Sequence, residues 1–288
     1  VCAALYSACE VRVKVGDGSL IRIAEETRYP FEETIRFKLS TDKPVTFPLY
    51  LRLPAWCAAP DVLINGTATT INEKTGKFVR LEREWKSGDI VTLRLPMQVS
   101  MRKWERNHHS VSVDYGPLTF SLKIGERYDR HDSTKTAVGD SSWQKGADPA
   151  KWPSFEILPT TDWNYGLVLD EQNPAQSFTV KHGEWPANDF PFTTESAPIT
   201  MTVRAKKISE WQLDRHGLCA VLQDSPALSD EPVETVSLIP MGAARLRLSA
   251  FPVIGSGAAA HRWTEPTKPK PSLYKASASH CFSGDTVE

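Results

Sequence analysis

What the 288-residue sequence lacks narrows its function first. No apolar run approaches the roughly 20 residues that a membrane helix needs, and none opens the chain behind basic residues, so neither a membrane span nor a signal peptide is expected. Charge of one sign is also lacking. The 34 Lys and Arg stand against 35 Asp and Glu, which removes the electrostatic reason to bind nucleic acid. The five cysteines, Cys2, Cys9, Cys57, Cys219 and Cys281, are scattered, and an odd number cannot form a fully paired disulfide framework. Zinc needs about four converging ligands, usually in close Cys or His pairs. Cys2 and Cys9 have no second pair nearby, and the side chains of the adjacent His108 and His109 would diverge on a strand. No metal ligand is therefore assigned in this chain, and the cysteines are read as structural or buried thiols.

Long amphipathic periodicity is absent as well, and alternation with turns takes its place. Val11, Val13 and Val15 lead into Gly16-Asp17-Gly18, and Leu20, Ile21 and Ile23 return as a hairpin. Ile35, Phe37 and Leu39 alternate with charged neighbours. Phe47, Leu49, Leu51 and Leu53 then alternate until Pro54 stops the run. Val62 to Ile64 runs into Asn65-Gly66, the strongest short hairpin signal, followed by strands at Phe78–Leu81 and Ile90–Leu95.

Val111, Val113 and Tyr115, a bend at Gly116-Pro117, and Leu118 to Ile124 begin a second β-rich stretch. Phe178–Val180, Ile199–Val203, Glu234–Ile239 and Ala244–Phe251 supply further strands. One short helical piece is expected after Asp148, limited by Pro153. The fold class is therefore all-β, with two β-sandwich domains in tandem. The first covers residues 1–102, with 1–9 joining it to whatever precedes. The second covers 103–262, with a long loop at 127–153. Residues 263–288 form a Pro/Lys linker and the start of a further module.

Several phrases, in order, resemble glycoside hydrolase family 127, the β-L-arabinofuranosidase-like proteins. They are Leu5-Tyr6-Ser7-Ala8, Glu26-Thr27-Arg28-Tyr29-Pro30-Phe31, Leu51-Arg52-Leu53-Pro54-Ala55-Trp56-Cys57, Asn65-Gly66, Glu84-Trp85-Lys86-Ser87-Gly88-Asp89 and Leu95-Pro96-Met97. Tyr115-Gly116-Pro117-Leu118 is similar to the family's R-G-P-L strand, with Tyr115 in place of Arg. Trp163-Asn164-Tyr165-Gly166-Leu167 and Ile239-Pro240-Met241-Gly242-Ala243 extend the likeness to about residue 262. The resemblance implies a parent with an (α/α) barrel followed by β-sandwich domains. Its enzymes use a zinc-bound cysteine thiolate as nucleophile of a retaining reaction, the metal serving to deprotonate the thiol. That motif contains two consecutive cysteines and precedes the Leu-Tyr phrase. No catalytic residue of the family falls on a position of this sequence, and zinc is expected only in the catalytic domain.

Other groupings carry bland readings. Glu25-Glu26 and Glu32-Glu33 are adjacent acids that a strand sends to opposite faces, and Asp162 stands apart. His109, Ser110 and Asp114 have the residue types of a triad without a Gly-x-Ser-x-Gly elbow. Nine tryptophans leave two readings open: packing, or an exposed set that stacks on sugar faces. Trp143, Trp152, Trp163, Asn164 and Tyr165 are the candidate barrel-docking or sugar-contact surface. The expected role is a non-catalytic region supporting the barrel in plant-type carbohydrate degradation; the alternative is a carbohydrate-binding module or a structural interaction domain. Expected partners are the parent's own barrel, a carbohydrate, or a second copy in a homodimer.

Overall fold

The computed structural model describes residues 1–71, 76–131, 151, 153–214 and 217–265. Strands dominate throughout, in the all-β, tandem β-sandwich arrangement that the alternation predicts. Among the described residues no helix is long and apolar enough to cross a membrane. The first nine strands are β1 (Cys2–Ala3), β2 (Cys9–Val15), β3 (Ser19–Thr27), β4 (Thr34–Thr41), β5 (Val45–Arg52), β6 (Asp61–Ile64), β7 (Thr67–Thr69), β8 (Phe78–Trp85) and β9 (Ile90–Arg94). They form a six-stranded sheet in the order β2-β3-β4-β9-β6-β7 and a three-stranded sheet in the order β1-β5-β8.

Period-two alternation makes these sheets a sandwich. Ile35, Phe37 and Leu39 of β4 face Phe47, Leu49 and Leu51 of β5 inside one core, while the intervening residues face out. Trp85 is fully buried and donates its indole N–H to the Phe47 carbonyl at 2.9 Å, which satisfies its one polar atom. The Asn65-Gly66 turn has φ of 51° and 83°, the left-handed pair that a two-residue hairpin demands. Asn65 also donates to Asp89 Oδ1 and accepts from the Ile90 N–H, both at 2.8 Å, so the Asn-Gly phrase is tied to the Trp-Lys-Ser-Gly-Asp turn.

Nine more strands follow: β10 (Val99–Trp104), β11 (Ser110–Tyr115), β12 (Leu118–Leu122), β13 (Glu126–His131), β14 (Ser154–Pro159), β15 (Tyr165–Leu167), β16 (Thr179–His182), β17 (Ile199–Lys207) and β18 (Val233–Pro240). The main sheet has the order β10-β11-β12-β18-β17-β15, with β16 also paired to β17; β13 and β14 form a separate two-stranded ribbon. Backbone pairing links Val111 to Phe251 and Leu167 to Val253. The short segment 251–254 thereby ties β11 to the opposite edge strand, β15, and closes the sheet over its core.

The two cores meet at the family-like phrases. Phe31 leaves the first sandwich and is buried in the second core, edge-on to Trp185 and Phe192. Arg28 lies over the Trp185 ring at 4.9 Å, a cation–π contact. Glu33 Oε1 accepts from the Met97 N–H at 2.8 Å. Gly116 (φ 55°) sits so close to Met97 that a Cβ there would lie 2.6 Å from its Cγ, so a side chain is sterically excluded.

Several expectations need correction. Residues 127–131, placed in a long loop, are strand β13, because they pair residue for residue with β14. The segment 244–251 is not a strand despite its alternating Leu246 and Leu248. It crosses β11 and β12, held by Leu122 N–H to Leu248 O, Ser121 Oγ to Leu248 O and Ser112 Oγ to Ser249 O. Residues 99–102 belong to β10 in the second sheet rather than to the first sandwich. Trp263, expected in the linker, packs on a small cluster around Ile208, Trp211 and Ala227 and donates to the Val221 carbonyl. Most of the helical piece after Asp148, the linker beyond residue 265 and Cys281 lie outside the described residues; Lys151 is in a turn.

Candidate functional site

A cleft of about 770 Å³ opens in the second region. Its floor is laid by sheet residues: Leu122 at the end of β12, Tyr165 at the start of β15 and Val236 on β18. One wall is the root of the β13–β14 ribbon with Glu126, Tyr128 and Asp162; the other carries Glu195 and Arg245. The root is fixed by Thr160 N–H to Gly125 O at 2.8 Å and Gly125 N–H to Thr161 Oγ1 at 2.9 Å.

Glu126 is a strut of this cleft. Oε1 accepts from the backbone N–H groups of Arg245 and Leu246 at 2.7 and 3.0 Å, and Oε2 accepts from the Tyr128 hydroxyl at 2.7 Å. Burial alone would raise its pKa, but these three donors and the nearby Arg245 charge outweigh that and hold it below the ordinary glutamate value. Tyr165 is pushed up to about 12, first by burial and then by the carboxylate of Glu234, which accepts from its hydroxyl at 3.2 Å. Asp162 Oδ2 accepts from Lys207 Nζ at 2.8 Å, which raises the lysine. Among the described residues, Lys123, Glu195 and Arg245 make no side-chain hydrogen bond or ion pair.

The sequence-based candidates fare unevenly. Trp143 and Trp152 lie outside the described residues. Trp163 is half-buried, edge-on to Trp211 with ring centroids 5.1 Å apart. Asn164 is 3% exposed and donates to the carbonyls of Ile208 and Trp211 at 2.9 and 3.0 Å. As a surface contact residue Asn164 is thus corrected: its amide is spent cross-linking two loops. Tyr165 is buried and reaches the cleft only as part of its floor. These three residues form no exposed aromatic platform. Asp162 does line the cleft, whereas Glu126, Tyr128, Glu195 and Arg245 carried no sequence signal because they converge from three distant segments.

The remaining groupings are separated by their partners. Asp114 binds Arg102 in a two-pronged pair at 2.6 and 3.0 Å, Ser110 Oγ accepts from Asn107, and His109 lies 3.5 Å from Glu105. Glu25 is buried and accepts from the Ser7 N–H, while Glu26 pairs with Lys38 outside the sandwich. Cys57 is buried, but the thiols of Cys2, Cys9 and Cys219 are exposed, contrary to a buried role; all four are unbridged. Among the described residues no three His, Cys, Asp or Glu side chains converge as a metal site requires. A second, apolar groove of about 320 Å³ lies beside the first strands, lined by Val1, Cys2, Leu5, Cys9, Val11 and Glu25 among others. Leu5 is 80% and Val11 44% exposed at its rim.

Comparison with known proteins gives these features a setting. Residues 1–97 match the family described as beta-L-arabinofuranosidase, GH127 middle domain. Among solved structures, a glycoside hydrolase aligns at 20% identity and a TM-score of 0.55, over 88% of this chain and 36% of that one. A GH127 β-L-arabinofuranosidase from Geobacillus stearothermophilus T6 aligns at 22% identity and 0.52, over 86% and 32%. A GH127 β-arabinofuranosidase aligns at 19% identity and 0.55, over 88% and 34%. The likeness to these structures is one of fold, and the chain spans about a third of their length. No curated protein is matched. Residues 1–97 are thus similar to the GH127 middle domain, and most of the chain shares its fold with the three hydrolase structures.

Proposed function

We propose that this chain is a non-catalytic β region of a larger GH127-like glycoside hydrolase, one that packs against and supports a catalytic (α/α) barrel. The observation that carries this reading is coverage. Most of the chain aligns within about a third of longer hydrolase chains, and its first region matches a domain described as a middle one. A middle domain has neighbours. The groove rimmed by Leu5 and Val11 is a surface suited to one, since apolar area of this kind gains by leaving water.

On this reading bond cleavage belongs to the barrel, with zinc held there by a thiolate set that the described residues here do not supply. The test is an assay of the 288-residue chain on an aryl β-L-arabinofuranoside with zinc and a reductant present. Background rates are expected. Zinc-dependent turnover by this chain would overturn the proposal.

A further inference from the structure

We propose that the 770 Å³ cleft between the β13–β14 ribbon and the closed sheet is a binding site for a neutral saccharide. The inference goes beyond the supporting role and does not rest on it. Three observations carry it: the shape of the cleft, its balance of charge, and its unspent hydrogen-bonding groups.

Small-molecule sites commonly have volumes of about 300–1,000 Å³ and form before the ligand arrives. This cleft is within that range, and its floor and one wall consist of hydrogen-bonded strands. Its lining mixes signs. Lys123 and Arg245 face Glu126, Asp162 and Glu195, and Lys207 neutralises Asp162 from beside the opening. An anion or a cation therefore meets as much repulsion as attraction.

A hydroxyl is matched differently, because it donates and accepts at once. A sugar hydroxyl can donate to an unspent carboxylate oxygen, at Glu195 or at the Asp162 oxygen that Lys207 leaves open, while accepting from Arg245 or Lys123. Glu126, already holding three donors, fixes the wall rather than contacting the ligand. Tyr128 supplies the apolar element. Its ring is 49% exposed but held at both ends, by the hydroxyl bond to Glu126 and by edge contact with Phe155 at 6.2 Å. A fixed, exposed aromatic ring stacks on the C–H face of a pyranose or furanose at little entropic cost.

The test is an amide-shift NMR titration of the 288-residue chain with L-arabinose, D-xylose and neutral di- and trisaccharides. Inorganic phosphate and spermidine serve as charged controls. Shifts are expected at the amides of Gly125, Thr161, Thr194 and Arg245, with affinity at least about tenfold weaker in Asp162→Asn and in Tyr128→Ala. Arg245→Gln, a change at a side chain with no internal hydrogen bond, should weaken binding likewise and keeps the test decisive should either of these misfold. The proposal is overturned if no neutral saccharide shifts those amides up to about 50 mM, a weak-binding limit. It is equally overturned if the shifts map elsewhere, or if a charged control binds more tightly than every sugar.

Discussion

The two β regions share strand content but hold themselves together differently. In the first sandwich the core comes from alternating residues of paired strands, and its β2–β3 and β6–β7 turns are short. In the second, long irregular segments between β15 and β16, β17 and β18, and after β18 supply Phe178, Trp211, Ala227 and Phe251 to buried clusters. Buried side-chain amides there take over work that strand ladders do in the first region, as at Asn164. Irregular backbone satisfied in this way leaves room for a cleft, whereas a flat ladder leaves little. The first region is accordingly the uniform one, and the second holds the larger of the two clefts described.

The largest test of that contrast is the joint. Phe31→Ala removes a first-region side chain from the second core and should cost about 3–5 kcal/mol, the usual range for a buried phenylalanine. Calorimetry should show the second region melting earlier and apart from the first; one unshifted transition would mean that Phe31 does not couple them.

Next is the pH response of the first region. Burial drives the Glu25 carboxyl up to about 7, against the opposing Ser7 N–H bond. The folded state therefore keeps a proton that the unfolded chain releases near its ordinary value. Stability is full below that value and falls as pH rises through about 7, by up to about 3 kcal/mol. Glu25→Gln should flatten this slope in urea titrations at pH 4.5 and 8, and an unchanged slope would locate the response elsewhere.

Smaller effects belong to the second region. Asn164→Ala leaves the Ile208 and Trp211 carbonyls without their donor and should cost about 2 kcal/mol. Denaturant unfolding checks this, and a loss equal to that of an exposed site would contradict the cross-linking role. Tyr128→Ala should cost only about 1 kcal/mol, the loss of one hydroxyl bond from a half-exposed ring, and so separates folding from ligand contact.

Legibility in the sequence follows the same divide. Asn65-Gly66 and Gly16-Asp17-Gly18 announce their hairpins because the turn chemistry is local, and β4 and β5 announce their faces by period two. Leu246 and Leu248 show the same alternation without being strand, since burial on a crossing segment produces it equally well. Strand β10 goes unforeseen because an edge strand needs few buried residues to hold it, and its outer face is charged. The cleft is the least legible part. Glu126, Asp162, Glu195 and Arg245 become neighbours only through sheet order, and nothing in their local sequence marks them. Proximity in sequence misled in the opposite sense at Asn164, whose side chain serves the interior.

The clasp at residues 251–254 bears on how the chain reaches this state. Its partners, Val111 and Leu167, are made long before it during synthesis, so the second sheet cannot close until this late segment emerges. Its contacts with Val111 and Leu167 span large loops, and such contacts form slowly because their closure entropy must be met first. The first sandwich, whose strands all lie within residues 2–94, can assemble while the second is still open. Folding in chain order thus favours a first half bearing Phe31 as the seed on which the second half condenses.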